Sequence, residues 1–405
     1  MPPQSPDKVR SSPGGHQKVS RLHPGCVRRA LCGEVVLSPC SWLAGPFLNR
    51  EELRSRPKPH TISGLFHIVS GGTVLANLVR AKISALGTYV PPRLLTNTDL
   101  EKMVETSNEW ILERTGIRQR HIVEKGVGTS ELAVQAACRA LNERGIPATD
   151  IEAIFLGTVT SDMSFPASAC LVQDRIGAKS AWGFDISAAC SGFVYALQTG
   201  VKFVESGAHK RVLVIGADVM SSIIDYTDRA TCVIFGDGAG AVIVEPATDE
   251  NFIMDFHHEV DGSGGCFLNQ PGGGSIHPAT HETVDKKMHF VHQDGQQVFK
   301  YAVRKMAEAA EKVLSRNGFK GSDVALFVPH QANRRIIMSA ADRLGLSEEQ
   351  IIINIDEFGN TTAGTIPLAL ESARQQGRLK KGDLVLIAAV GAGFTVGATL
   401  LRWAC

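Results

Sequence analysis

The chain has 405 residues and a mass of 43.5 kDa, with 43% hydrophobic and 20% charged residues. This length and composition exclude a disordered protein and allow two or three domains or one duplicated unit. Lys and Arg total 42 against 41 Asp and Glu, so no basic excess attracts nucleic acid or an anionic membrane. Nine cysteines without zinc spacing argue against a disulfide scaffold or a metal site and indicate a reducing, cytoplasmic setting.

Residues 1–77 differ in composition from the rest of the chain. They carry ten basic and four acidic residues, are rich in Pro, Gly and Ser, and lack sustained hydrophobic periodicity. We expect a poorly ordered basic extension here. Two origins remain open: an Arg-rich organelle leader, or translation from too early a start, since no Met separates Met1 from Met103. Neither origin implies a catalytic role.

From residue 80 onward, short apolar runs alternate with helical patterns, which predicts a layered α/β architecture. The predicted strands are 151–156, 211–216, 323–328 and 383–390, and the predicted amphipathic helices are 129–142 and 298–314. The uncharged run 384–401 is long enough for a membrane span, but three glycines interrupt it. We interpret it as two buried strands around a glycine turn and predict no transmembrane segment.

Two patterns occur twice in the chain. A strand, a small-residue turn and a helix are predicted at 183–201 and again at 352–373. A strand, a glycine-rich bend and a second strand are predicted at 231–244 and again at 384–401. We therefore expect two pseudo-symmetric halves, an N-terminal one at about 80–250 and a C-terminal one at 251–405. Their matching loops would meet in one central site.

Cys190 lies where a predicted strand ends and a predicted helix begins. The partial positive charge at a helix N-terminus favours a thiolate, so we expect the pKa of this thiol to fall below about 8.5. Such a cysteine is a candidate nucleophile. The alternative is a small buried residue that packs beneath the helix.

Two further motifs place polar side chains at strand ends. His330 and Asn333 follow a predicted strand in a loop, a position that suits ligand binding. Asn360 is predicted to open the helix that corresponds to the Cys190 helix, facing Cys190 across the pseudo-twofold axis. Separately, His330 could be a core histidine and Asn360 a helix cap. The coincidence of three such positions at strand-to-helix junctions favours a site.

The motifs together, in order over about residues 80–405, resemble those of the β-ketoacyl-acyl carrier protein synthase III family. They are ETSNEW at 105–110, RTGI at 114–117, DISAACSGF at 185–193, TDR at 227–229, FGDGAG at 235–240, VPHQANRR at 328–335, GNT at 359–361 and GAGFT at 391–395. The resemblance implies a thiolase-like αβαβα fold, a homodimer, and initiation of fatty-acid synthesis from acetyl-CoA and malonyl-acyl carrier protein. Cys190, His330 and Asn360 match the catalytic set of that family.

The roles follow from what each group can do. Cys190 would attack the acyl-CoA thioester and hold the acyl group. The backbone N–H groups of Cys190 and Ala392 would stabilise the oxyanion. Neutral His330 and the Asn360 amide would then donate hydrogen bonds to the enolate formed when malonyl-acyl carrier protein loses CO2. No cofactor is required, because decarboxylation drives the reaction.

Other positions follow from the resemblance alone. The implied CoA-binding residues are Trp110, Arg114, Arg229 and Asn333, the implied carrier-protein contacts are Lys300, Gln331, Arg334 and Arg335, and the implied acyl-pocket residues are Phe165, Phe235 and Val390. Phe165 would close the pocket of the partner subunit. Val390 is smaller than the Phe often found there, so the pocket would admit more than acetyl. Asp342 departs from the family pattern, which has a basic residue there.

Several alternatives compete with this interpretation. A thiolase would need a second cysteine in the bend at 391–393, and an elongating synthase would need a second His in place of Asn360. A Cys-His-Asn thioester hydrolase, an acyltransferase of secondary metabolism and a non-catalytic scaffold remain open. The glycines at 236–240 are interpreted as a structural bend, and the His-rich segment 275–292 as a solvated loop rather than a metal site.

Overall fold

The structure is a computed structural model that describes residues 79–405, so the predicted extension at 1–77 lies outside it. Strands and helices alternate along the described residues. The strands are β1 Ala81–Tyr89, β2 Leu94–Thr96, β3 Gln119–His121, β4 Ala153–Gly157, β5 Trp182–Ile186, β6 Val212–Val219, β7 Asp237–Pro246, β8 Ile253–Val260, β9 Leu268–Asn269, β10 His292–Gln293, β11 Leu326–Pro329, β12 Leu384–Gly391 and β13 Thr395–Arg402. The helices are α1 Asn97–Glu101, α2 Asn108–Thr115, α3 Thr129–Arg144, α4 Ser168–Ile176, α5 Gly192–Glu205, α6 Arg229–Cys232, α7 His281–Asp285, α8 Gly295–Arg316, α9 Arg334–Leu344, α10 Ile355–Phe358 and α11 Thr365–Gln375.

Two large sheets repeat the same strand order and direction. The first sheet has the order β1-β7-β6-β4-β5, with β7 antiparallel to both neighbours and β4 parallel to both. The second sheet has the order β8-β13-β12-β11, with β13 antiparallel to both neighbours and β11 parallel to β12. Ile351 pairs with Phe327 of β11 in an isolated parallel bridge, at the position that the fifth strand has in the first sheet. The expected pseudo-symmetry is therefore confirmed, while the residue limits given for the two halves stay a prediction.

The sequence of the central strands explains their position. In β4, β6 and β12 every residue is buried, and the side chains are mostly Val, Ile, Leu and Ala. Strands of this composition pack on both faces, as parallel sheets between helix layers require. The four strands predicted from apolar runs match β4, β6, β11 and β12 to within a few residues.

The helices form three layers around these sheets. Helices α3 and α4 cover the outer face of the first sheet, and α8 and α9 cover the outer face of the second. Helices α5 and α11 lie between the sheets, where Phe193, Leu197, Ile366 and Leu370 belong to one buried cluster with strands of both. This arrangement confirms the predicted αβαβα layering. Each central helix is buried on two faces, one against each sheet.

One predicted element is wrong. Residues 231–244 do not form a strand, a bend and a second strand, because α6 ends at Cys232 and β7 is one continuous strand. The glycines of β7 instead allow a neighbouring helix to pack closely against the strand. A Cβ on Gly240 would lie 2.3 Å from the Cβ of Pro367 in α11, so only glycine allows that helix to approach the strand.

The run 384–401 folds as the predicted pair of strands. β12 and β13 are antiparallel and pair from Leu384 opposite Arg402 to Gly391 opposite Thr395. Within residues 79–405, no helix combines the length and the apolar character needed to cross a membrane.

Candidate active site

Cys190 lies in a tight turn between β5 and α5. A 3-10 turn at Ala189–Ser191 precedes the first residue of α5, and Ala189 has a φ of 46°, which is strained for a residue with a side chain. The hairpin between β12 and β13 packs against this turn. A Cβ on Gly391 would lie 2.7 Å from the Cys190 backbone nitrogen, and the Thr395 hydroxyl donates to the Ala188 carbonyl over 2.8 Å. Glycine at 391 therefore lets the hairpin backbone reach the cysteine.

The expected low pKa of Cys190 is not what the structure gives. Burial raises the pKa of the Cys190 thiol to about 12, and the nearby Asp218 carboxylate contributes to this rise. The side chain is only 7% exposed, so loss of hydration outweighs the partial charge of the helix N-terminus. The resting group is accordingly a thiol rather than a thiolate.

His330 follows β11 directly and is almost completely buried. Its backbone N–H donates to the Ala388 carbonyl over 2.8 Å, which fixes the residue beside β12. The ring nitrogen Nδ1 lies 2.7 Å from the Thr365 hydroxyl, whereas Nε2 has no hydrogen-bond partner among the described residues. Burial lowers the pKa of His330 to about 3, so the ring is neutral at physiological pH.

Asn360 does not open a helix, which corrects the sequence prediction. It forms a parallel bridge with Phe235, and its Oδ1 accepts from the Thr362 backbone N–H over 2.9 Å. This contact turns the amide so that its NH2 group remains available as a donor. The turn that corresponds to the Cys190 turn is Thr362–Gly364, in which Thr362 has a φ of 53°.

A cavity of about 630 Å³ brings these side chains together. Cys190, His330 and Asn360 all line it. Seven other residues expected from the resemblance also line it: Trp110, Arg114, Asn333, Lys300, Arg335, Phe235 and Val390. The cavity therefore joins the three candidate catalytic side chains to three of the four residues that are expected to bind CoA.

A second, smaller cavity lies beyond the cysteine. It has a volume of about 120 Å³, and Cys190 and Ala392 form part of its wall. Most of the other lining side chains are apolar, among them Val159, Met220, Ile223, Leu268 and Val291. Besides Cys190 and Ala392, the sequence analysis named only Phe235 in this wall, because the five apolar side chains come from four separate segments and carry no motif.

Three of the four expected CoA-binding residues, Trp110, Arg114 and Asn333, line the large cavity, whereas Arg229 lines a separate surface pocket beside Trp110. The Arg229 guanidinium lies over the Trp110 ring, 5.0 Å from its centroid, so an adenine that stacks here must displace or join this pair. Asn333 caps α9, and its amide donates to the Arg114 carbonyl over 2.8 Å. A pantetheine contact from Asn333 would replace that bond.

Two sequence-predicted positions, Gln331 and Val390, differ in the structure, while the role predicted for Phe165 in a partner subunit stays a prediction. Gln331 cannot contact a carrier protein, because it is fully buried and donates to the Pro329 and Ile352 carbonyls. Val390 lines the large cavity rather than the small apolar one. Phe165 lines neither cavity and is 84% exposed, as a residue that reaches into another subunit would be in a single chain.

The His-rich segment holds no metal cluster. Among residues 79–405, no group of three or more His, Cys, Asp or Glu side chains could hold a metal ion. His281 begins the short helix α7, and His289 Nε2 lies 2.9 Å from the Thr283 hydroxyl. The segment is therefore a hydrogen-bonded loop with one helical turn.

The five-layered fold, with a cysteine at a helix start between its sheets, defines the thiolase-like class of acyl-transferring enzymes. A relative from Koribacter versatilis, a beta-ketoacyl-[acyl-carrier-protein] synthase III, is 64% identical over 332 residues, which cover 82% of this chain and 100% of the relative. The chain belongs to the β-ketoacyl-acyl carrier protein synthase III family. Profiles described as 3-oxoacyl-[acyl-carrier-protein (ACP)] synthase III and as its C-terminal part match residues 184–262 and 314–403.

Further comparisons agree with this assignment. The synthase III of Solibacter usitatus is 64% identical over 329 residues, which cover 80% of this chain and 99% of the relative. The crystal structure of 3-oxoacyl-[acyl-carrier-protein] synthase III from Aquifex aeolicus is 44% identical, with a TM-score of 0.74 and coverage of 80% of this chain and 100% of that one. The resemblance noted in the sequence and the thiolase-like fold are thereby confirmed.

Proposed function

We propose that this enzyme starts fatty-acid chains by joining an acyl group from acyl-CoA, with acetyl as the simplest case, to malonyl-acyl carrier protein. One observation carries the proposal. A single cavity is lined by Cys190, His330 and Asn360 and also by Trp110 and Arg114. A nucleophile, two hydrogen-bond donors and a binding surface for a nucleotide-bearing thioester are what this condensation needs.

In the first step, the Cys190 sulfur attacks the thioester carbonyl of acyl-CoA. The carbon–sulfur bond to Cys190 forms, the bond to CoA breaks, and the thiol proton leaves with the CoA sulfur. Backbone N–H groups of Cys190 and Ala392 are the proposed donors to the tetrahedral oxyanion. Each such donor is typically worth about 3 kcal/mol of transition-state stabilisation. The close approach allowed by Gly391 supports this placement.

In the second step, malonyl-acyl carrier protein loses CO2 and forms an enolate. The enolate carbon attacks the acyl carbonyl on Cys190, a carbon–carbon bond forms, and the Cys190 sulfur leaves and takes a proton. His330 and Asn360 are the proposed donors to the enolate oxygen. The neutral ring of His330 and the fixed amide of Asn360 support this role, because neither group readily protonates the enolate.

The small apolar cavity is the proposed acyl pocket. Its volume of about 120 Å³ compares with about 30 Å³ for one water in the liquid and about 150 Å³ for a cavity that binds benzene. We expect acetyl and somewhat longer short chains to enter it. Met220, Ile223 and Val291 would then limit the chain length, rather than Val390.

The proposed carrier-protein surface is basic. Lys300 and Arg335 line the mouth of the large cavity, and Arg334 is exposed at the start of α9. Acyl carrier protein is acidic, so charge attraction would guide it to this mouth and direct its prosthetic arm inward. The Arg335 guanidinium already rests on the Phe299 ring, 4.9 Å from the centroid.

A homodimer is part of the proposal. Strand β5 is the edge of the first sheet, and its Trp182 and Phe184 remain 43% and 39% exposed. An unpaired edge with exposed aromatic rings favours pairing with a second copy. Phe165 would then reach the acyl pocket of the partner. The free thiols of Cys138 and Cys232 agree with a reducing, cytoplasmic location, which we also propose.

Intact-protein mass spectrometry tests the proposal directly. The purified chain is mixed with acetyl-CoA and then with malonyl-acyl carrier protein, and both proteins are weighed after each addition. We expect acetyl on Cys190 and its transfer into acetoacetyl-acyl carrier protein. Acetyl that is lost to water without a condensed product would identify a hydrolase, and no adduct with any short acyl-CoA would refute the assignment of Cys190.

A further inference from the structure

Thr365 makes a contact with the active site that no sequence motif indicates. It is the first residue of α11 and is 2% exposed, and its hydroxyl lies 2.7 Å from Nδ1 of His330. His330 Nε2 has no partner within the described residues, and His330 lines the same cavity as Cys190 and Asn360. Thr365 is therefore the side chain that holds His330 from behind.

The hydrogen bonds around Thr365 indicate which acceptor its hydroxyl hydrogen points to. The hydroxyl hydrogen has two acceptors within reach: Nδ1 of His330, and at 3.0 Å the Thr362 carbonyl, which also accepts the Thr365 backbone N–H. The shorter contact is the one to Nδ1. Moreover, the partial positive charge at the start of an 11-residue helix favours a neutral imidazole that accepts there and donates from its other nitrogen.

We propose that Thr365 is a positioning residue, whose hydroxyl donates to Nδ1 of His330 and thereby keeps the ring hydrogen on Nε2, facing the cavity. The inference rests on the proposed function, because a hydrogen on Nε2 is what a donor to the enolate oxygen requires. A hydrogen on Nδ1 would instead present a lone pair to the enolate and repel it.

Nitrogen-15 NMR of the unliganded full chain tests the hydrogen position without any assay of activity. All 13 histidines are labelled, and the His330 signals are identified by their loss in His330→Gln. We expect a hydrogen bonded to Nε2 and a bare Nδ1 in the unaltered protein. The opposite assignment, with the hydrogen on Nδ1, would overturn the proposal.

Three variants then separate positioning from simple structural support. Thr365→Val keeps the shape but removes the hydroxyl, Thr365→Ser restores it, and Thr399→Val removes a buried hydroxyl that donates to the Asp255 carbonyl on β8. Acetylation of Cys190 and condensation of the acetyl-enzyme are measured separately in single turnovers. We expect Thr365→Val to slow condensation about 10- to 100-fold and acetylation less than about 3-fold.

The two controls should condense within about 3-fold of the unaltered enzyme. If Thr365→Val condenses at the rate of the unaltered enzyme, the role of Thr365 is overturned. The same holds if Thr365→Ser loses as much of the condensation rate as Thr365→Val. If the unaltered enzyme forms no acetoacetyl product, the proposed function fails instead, and the NMR measurement still decides where the His330 hydrogen lies.

Discussion

At the scale of single residues, burial determines the chemistry of the site more than local sequence does. Cys190 lies in the turn just before α5, close to the helix start that its sequence predicts, yet its thiol pKa is raised to about 12 because the group is dehydrated and the Asp218 carboxylate adds to the rise. His330 is neutral for the same reason. A neutral thiol and a neutral imidazole in one cavity cost less to bury than an ion pair of the two.

The division of labour among the three side chains gives the first prediction. We expect Cys190→Ala to abolish acylation, because no other group on this cavity wall is a nucleophile of that kind. His330→Ala and Asn360→Ala should still acylate but lose condensation by about 100- to 1000-fold each. Single-turnover mass spectrometry measures both steps. Cys170→Ala, at an exposed cysteine, is the matched control. Equal loss of acylation in the Cys190, His330 and Asn360 variants would refute these roles.

The raised pKa of Cys190 gives a second prediction. Below a pKa of about 12 the thiolate fraction grows about tenfold with each pH unit, so alkylation of Cys190 by iodoacetamide should accelerate steadily between about pH 6 and 9. Peptide mapping of the alkylated chain separates Cys190 from the exposed Cys170. A rate that levels off near neutral pH would show a lowered pKa and contradict this expectation.

Among the secondary-structure elements, close contacts between strands and central helices position the turns that carry the candidate catalytic residues. β7 approaches α11 at Gly240 and Pro367, and the β12–β13 hairpin approaches the Cys190 turn at Gly391. In each case atoms of the neighbouring segment occupy the space that a Cβ on the glycine would need. The glycines of 236–240 indicate a bend in sequence, but in the fold Gly238 and Gly240 belong to the continuous strand β7.

These contacts predict different effects at two glycines. Gly240→Ala should lower the free energy of unfolding by about 1–3 kcal/mol, because the new Cβ overlaps Pro367. Gly262→Ala should change it by less than about 0.5 kcal/mol, because no atom of the described residues lies within 4 Å of the position that its Cβ would take. Urea denaturation of both variants measures the difference. Equal stability of the two would mean that β7 and α11 have room to separate.

At the scale of the whole molecule, two equivalent sheets place their strand ends around one site. Cys190 follows β5 of the first sheet, whereas His330 follows β11 of the second. The pseudo-symmetry of the fold therefore brings two strand ends that are far apart in sequence to one cavity. The second sheet also carries the hairpin that supplies Ala392.

The exposed edge of the first sheet predicts how the enzyme assembles. If the proposed dimer pairs through this edge, Phe184→Glu on β5 should give a monomer in sedimentation velocity, because charges on an edge strand oppose pairing. Condensation should fall with it, since Phe165 of the second copy would no longer close the acyl pocket. Val260→Glu, at an exposed position of the opposite edge strand β8, is the control and should remain dimeric. A dimeric Phe184→Glu would place the interface elsewhere.

The amino-acid sequence is enough to predict the family, the alternation of strands and helices, the pseudo-symmetry, and Cys190, His330 and Asn360 as candidate catalytic residues. These features depend on local patterns and on motifs such as those around Cys190 and His330, which a linear chain carries directly. Properties that depend on burial and on residues distant in sequence become visible only in the folded chain. The high pKa of Cys190, the burial of Gln331, the apolar pocket wall and the contact of Thr365 with His330 all arise from segments that meet only in the folded chain.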